Sequence, residues 1–257
     1  MHTRLFILVT MAGILMVAGF AHAEEPKGLF PLGRSWVGDK HLPRPFGVEV
    51  TFYHQEQEYE LASMTVNLPD AALAQAADIE FENQTNESDL QVDLWVLPFL
   101  NVFGIIGNVD GETTVNLGPP LGDIEVDYDG LVYGGGLTLA AGGERFFGSL
   151  SAILTQTDLD TSTSSVEAWI LTPRVGVRLK NMAFYVGAMY QATEERHRGQ
   201  ISIPLFGKVS YDVKLEEKDP WNYLAGFTAS LGEHWDLTLE GGAWDRKHVM
   251  ISIGYRF

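Results

Sequence analysis

Once the first 23 residues are set aside, the histidines available for proton transfer are His41, His54, His197, His234 and His248. None stands in a GxSxG, HExxH or His-x-x-x-His context, so neither a nucleophile elbow nor a zinc-protease helix is written here. The chain has 0 cysteines, which removes a thiol nucleophile, Cys-ligated metal and disulfides together. His54, His197 and His248 do have carboxylates nearby in sequence: Glu56, Glu194, Glu195 and Asp245. An acid–histidine hydrolase centre is therefore one catalytic arrangement these residue types allow. Ser252 shares a strand face with His248 but lies about 13 Å away at the usual strand rise, too far for a direct dyad. No catalytic residue is assigned.

Carboxylates are the second chemistry on offer. Asp plus Glu number 34 against 17 Lys plus Arg, a net charge of −17, which excludes nucleic acid because phosphate contacts need cations. Between Pro45 and Glu144 there are 18 acidic residues and no Lys or Arg; the rest of the chain beyond residue 23 is neutral, with 16 of each sign. In Asp123-Ile-Glu125-Val-Asp127-Tyr-Asp129 the carboxylates alternate, so a strand would project all four from one face. The spacing is not that of an EF-hand, which needs Gly at its sixth position and Glu at its twelfth. Ca²⁺ is the cation such oxygen ligands would take, and no other cofactor is implied. The commoner role of such a run is a solvated, mutually repulsive face. Gly134-Gly135-Gly136 has no phosphate-loop context and suits the close approaches of a bent strand.

Which elements would hold these groups? Arg4, an apolar run from Leu5 to Phe20 and the small-x-small triplet Ala21-His22-Ala23 describe a cleaved signal peptide over 1–23. After it no apolar run is long enough for a transmembrane helix. Alternation takes over instead. From His248 to Phe257 the odd positions are Val249, Ile251, Ile253, Tyr255 and Phe257, while the even ones are polar, small or Met. This ending resembles the C-terminal assembly signal of bacterial outer-membrane β-barrel proteins, with Tyr255 and Phe257 as its aromatic residues. The resemblance implies the outer membrane as location. It implies as partners outer-membrane lipid and lipopolysaccharide, the barrel assembly machinery and periplasmic chaperones.

The same period recurs upstream in Trp235–Trp244, Trp221–Leu231, Phe184–Gln191, Trp169–Leu179, Phe146–Leu154, Leu131–Leu139, Leu90–Val96 and Phe46–Phe52, with Asn101–Val109 apolar on both faces. Ten strands of about ten residues, tilted near 45°, would cover a hydrocarbon core of about 23 Å. The expected fold is thus all-β: an antiparallel transmembrane β-barrel over 46–257. Short periplasmic turns alternate with long external links at 60–88, 110–123, 158–164 and 196–219, and residues 24–45 lie in the periplasm or plug the lumen. Eight strands is an alternative. Twelve is another, if 200–203 and 208–215 cross the membrane instead of forming an external hairpin. Pro69–Ala77 is Ala-rich enough for a short helix.

Trp95, Trp169, Trp221, Tyr223, Trp235, Tyr255 and Phe257 are placed as interfacial girdles. The inward parity set contains Glu49, Gln91, Asp93, Arg174, Arg178, Asp236, Glu240 and Arg256, a lumen charge network in which buried charges must pair. Two functions of different class remain open. One is a non-enzymatic barrel, either a narrow porin-like channel or a structural or surface-binding protein with acidic external loops. The other is a barrel-rim hydrolase, an omptin-like protease or a lipid-modifying enzyme.

Overall fold

A computed structural model describes residues 29–38, 42–66, 80–116, 123–160, 164–203 and 207–257. There the alternation becomes eleven strands: β1 Phe46–Val66, β2 Glu80–Leu97, β3 Leu100–Asn116, β4 Asp123–Gly142, β5 Phe146–Leu159, β6 Ser164–Leu179, β7 Met182–Ile203, β8 Gly207–Glu217, β9 Trp221–Leu231, β10 Trp235–Trp244 and β11 Arg246–Arg256. Ten of them close a barrel. Each pairs antiparallel with the next, β7 pairs with β9, and β11 returns to β1 through Val48↔Tyr255 and Phe52↔Ile251. The eleventh, β8, stands outside that ring. It pairs with the far end of β7 (Glu195↔Leu215) and with the far end of β1 (Tyr59↔Glu217). The 200–215 segment is therefore an external hairpin extension, as expected.

The faces are inverted relative to a protein folded in water. Along β11, Arg246, His248 and Ser252 are buried while Val249, Ile251 and Ile253 are exposed. The outward set also holds Trp169, Leu171 and Val175 on β6, Leu131, Leu137 and Leu139 on β4, and Phe52 on β1. A continuous exposed apolar band around a polar interior is stable only where the surrounding medium is itself apolar. The ladder runs around a ring with no free edge, which is what a bilayer demands. The chain folds as a closed antiparallel β-barrel of the membrane-spanning kind. The stretch Asn101–Val109, apolar on both faces, also resolves: Asn101, Gly107 and Val109 are buried and Ile106 is exposed, so odd positions point inwards.

Two expectations are corrected. Strands outrun the apolar band: β1 has 21 residues, β2 18, β3 17, β4 20 and β7 22, so much of the expected links at 60–88, 110–123 and 196–219 is sheet. Apolar alternation stops at the membrane boundary because both faces are polar beyond it, yet Glu56 and Glu58 still alternate with buried Gln55, Gln57 and Tyr59. Trp95 is the second correction. It shares the inward parity of Asp93, and its indole Nε1 is buried, so it belongs to no girdle. Trp169, Trp221, Tyr223 and Trp235 are exposed on the outer face. The signal peptide and the Pro69–Ala77 helix lie outside the described residues.

The tight connections between β2 and β3, β4 and β5, β6 and β7, and β9 and β10 share one end of the barrel with Phe46, which opens β1, and with Phe257. Phe46 and Phe257 exchange backbone hydrogen bonds of 3.3 and 3.0 Å there and stack at 5.9 Å. Short turns face the periplasm in outer-membrane barrels. The described part of the N-terminal segment lies against this end: Leu32 N donates to Val96 O at 2.8 Å, Phe30 meets Phe46 edge-on, and Arg44 reaches Glu233 at 3.3 Å.

Candidate functional site: the barrel interior

Two polar belts cross the lumen. The periplasmic belt is organised by Arg256 on β11. Its Nη2 donates to Asp93 Oδ1 at 2.9 Å, its Nε lies 4.0 Å from Asp236 Oδ2, and its Nη1 donates to the Arg44 carbonyl at 3.3 Å. Asp93 also accepts from Asn101, and Asp236 accepts from Ser230 Oγ at 2.7 Å. Glu49 sits in the same belt, accepting from Thr51 Oγ1 at 3.4 Å beside Gly254. Gly47 has a structural task here, since a Cβ on it would overlap the Asp93 carboxylate.

The external belt is built on Glu240 of β10. Arg174 grips it with Nε at 2.9 Å and Nη2 at 3.3 Å, while its guanidinium lies 5.6 Å from the Tyr185 ring centre. His248 Nε2 lies 3.5 Å from the other side of the same carboxylate, with side-chain exposures of 0% and 1%. His248 stacks on Tyr53 at 5.3 Å, and its Nδ1 is 3.1 Å from Asn222 Nδ2. Gly242 makes room for that ring. From Tyr53 a hydrogen-bonded row climbs β1 through Gln55 and Gln57 to Arg246.

Further side chains enter the lumen between and around the belts. Tyr185, Met189 and Leu224 form a buried cluster with Phe147 and Ile170 on the β5–β9 side. Added Cβ atoms on inward Gly107 and Gly136 would strike Asp89 and the Phe103 ring. Beyond the external belt, Tyr59, Phe81 and Leu215 make an apolar cap with Val115, drawn from β1, β2, β8 and β3. Where β7 changes partner from β9 to β8, Trp169, Tyr190, Thr193, Glu216 and Glu217 line a cleft of about 330 Å³. Burial pushes the Glu217 carboxyl above the usual carboxylate range, and hydrogen bonds from Thr193 offset part of that shift.

Of the lumen charges expected from sequence, the structure places Glu49, Asp93, Arg174, Asp236, Glu240 and Arg256 inside and pairs both inner arginines with carboxylates. Arg178 is a correction. It lies exposed at the periplasmic end, over the Phe147 ring at 5.3 Å and reaching the Gly143 carbonyl at 3.5 Å, because its parity carries it past the last lumen layer. Sequence reasoning missed Tyr53, Gln55, Gln57, Asn222 and Arg246. Asp245–Lys247 looks like a turn in the sequence, which hid Arg246, although its parity matches His248 and Arg256.

Among the described residues the histidines do not converge on a rim site. His54 points outwards, bonded to Asn86 at 2.9 Å and 3.8 Å from Glu56. His248 is enclosed in the wall, and the side chain of His197 lies outside the described residues. Asp123, Glu125, Asp127 and Asp129 are exposed on the outer face of β4, above Leu131 and Tyr133. Among the described residues no group of three or more acidic or histidine side chains is gathered for a metal ion.

No family model and no curated protein matches this chain. Solved outer-membrane barrels are similar in fold. The β domain of the Bordetella autotransporter BrkA has 14% identity and a TM-score of 0.46, over 83% of this chain and 100% of that one. OprG of Pseudomonas aeruginosa has 14% identity and a TM-score of 0.40, over 84% and 98%. Ail of Yersinia pestis, in complex with a heparin analogue, has 10% identity and a TM-score of 0.31, over 83% and 99%.

Proposed function

We propose that the chain is a closed outer-membrane barrel that acts at the cell surface through the acidic outer face of its external sheet, and not as a solute channel. The observation that carries this reading is the continuation of β1–β4 past the apolar band. Glu56 and Glu58 on β1, Asp110 on β3 and Asp123, Glu125, Asp127 and Asp129 on β4 occupy the same outward face that is apolar lower down. A rigid, single-sign wall is suited to long-range attraction of cationic partners, at ranges set by the Debye length of about 8 Å at 0.15 M salt. The filled lumen and the Tyr59–Phe81–Leu215 cap support the closed half of the reading.

The test is binding of polylysine to the refolded barrel. Affinity should fall with salt and drop in a variant with Asp123→Asn, Glu125→Gln, Asp127→Asn and Asp129→Asn. Equal affinity in both proteins contradicts the role given to β4. A Ca²⁺ titration at fixed ionic strength, with Mg²⁺ as comparison, separates a coordinated ion from diffuse charge. An ion bound only to the folded state raises the melting temperature, and the quadruple variant must lose that rise. An unchanged melting temperature ends the Ca²⁺ proposal and leaves the wall acting by field alone.

A further inference from the structure

Three inward arginines cross the lumen, and two have carboxylates at 2.9 Å: Arg174 with Glu240, and Arg256 with Asp93. Arg246 is the exception. It is wholly buried, with 0% exposure, yet among the described residues no carboxylate lies within ion-pair distance of it. Its Nε donates to Gln57 Oε1 at 2.9 Å and its Nη1 faces Met189 Sδ at 3.6 Å, while Nη2 finds no hydrogen-bond partner among the described residues. Glu217 acts on it only at longer range; Thr193 bonds its carboxylate, while its Oε1 is buried without a hydrogen-bond partner. A buried, uncompensated guanidinium costs several kcal/mol, so its charge must be met.

The neighbouring amides say with what. Arginine has donors only, so Gln57 must turn its oxygen towards Arg246. Gln57 Oε1 then also receives Gln55 Nε2 at 3.0 Å, and Gln55 Oε1 receives the Tyr53 hydroxyl at 3.0 Å. The row is thereby polarised along its whole length. It ends with Gln57 Nε2 buried and, like Arg246 Nη2, without a hydrogen-bond partner among the described residues. Two buried donors, one of them cationic, thus lack an acceptor, and the buried Glu217 Oε1 that also lacks a partner lies beyond ion-pair distance of Arg246. We infer that Arg246 and Gln57 hold a small monovalent anion inside the external belt. Full enclosure of both side chains limits the ligand to the size of chloride, bromide or formate.

The probe is the halide itself. Refolded wild-type barrel should unfold at a midpoint at least about 3 °C higher in chloride or bromide than in gluconate at equal ionic strength, with a saturable dependence. Gln57→Glu supplies a built-in carboxylate, so this variant should fold, lose halide sensitivity and match the chloride-bound wild type in gluconate. Arg246→Met should also lose the sensitivity. Crystals grown with bromide should show an anomalous peak beside Arg246 in wild type and none in Gln57→Glu. Midpoints identical in chloride and gluconate, or a bromide response that survives Gln57→Glu, would overturn the inference. Either result would mean that water alone meets the guanidinium.

Discussion

At the residue scale the interior is a matter of paired charge. Glu240 is almost fully enclosed and serves Arg174 and His248 together. Glu240→Gln leaves Arg174 facing a neutral amide, and breaking a buried pair from one side should cost about 3 kcal/mol. Urea unfolding of the refolded barrel measures this. Adding Arg174→Met should recover much of the loss, since removing both charges is close to neutral, and strictly additive losses would refute the pairing. Glu217 supplies a pH dependence. Its folded-state pKa is raised, so its stabilising contribution is complete below the ordinary carboxylate range and is lost as pH rises through the raised value. Wild type should therefore lose stability relative to Glu217→Gln as pH rises across that window, and parallel profiles would contradict the assignment. Six of the seven expected lumen charges were legible from parity alone. The amide row was not, because Gln55 and Gln57 lie where β1 has left the membrane and no apolar partner face marks the alternation.

At the element scale the ten crossings were legible because a bilayer forces one face of every strand to be apolar over a fixed length. Beyond that length the forcing ends, which is why β1 looked seven residues long in sequence and is 21 in the structure. The partner change of β7 from β9 to β8 carries no sequence mark at all, since it depends on which edge stands free. The last element makes its own prediction. Phe257 bonds to Phe46 through the backbone and stacks on its ring, closing the first strand against the last. Phe257→Ala should lower the amount of heat-modifiable barrel in the outer-membrane fraction without reducing export across the inner membrane. Wild-type barrel levels in that fraction would remove the anchor of the topology.

At the scale of the whole molecule, charge and packing divide the barrel into three zones. The described part of the N-terminal segment lies against the periplasmic end, the middle holds two charge belts, and Tyr59, Phe81 and Leu215 form an apolar cluster beyond the external belt. Barrels of eight strands fill with side chains while those of 16 hold water, and a ten-stranded ring carrying inward Tyr, Met, Leu and Arg stands near the filled limit. The acidic excess lies in the first four strands, which together with β7 and β8 form the external sheet, so the surface charge is set by the elements that outrun the membrane. Single-channel recording in planar bilayers tests the closed lumen most directly. The purified barrel should insert and give no stable conductance steps at either polarity. Uniform ohmic steps that respond to Arg256→Ala or Glu240→Ala would show an open, charge-lined pore and contradict the account.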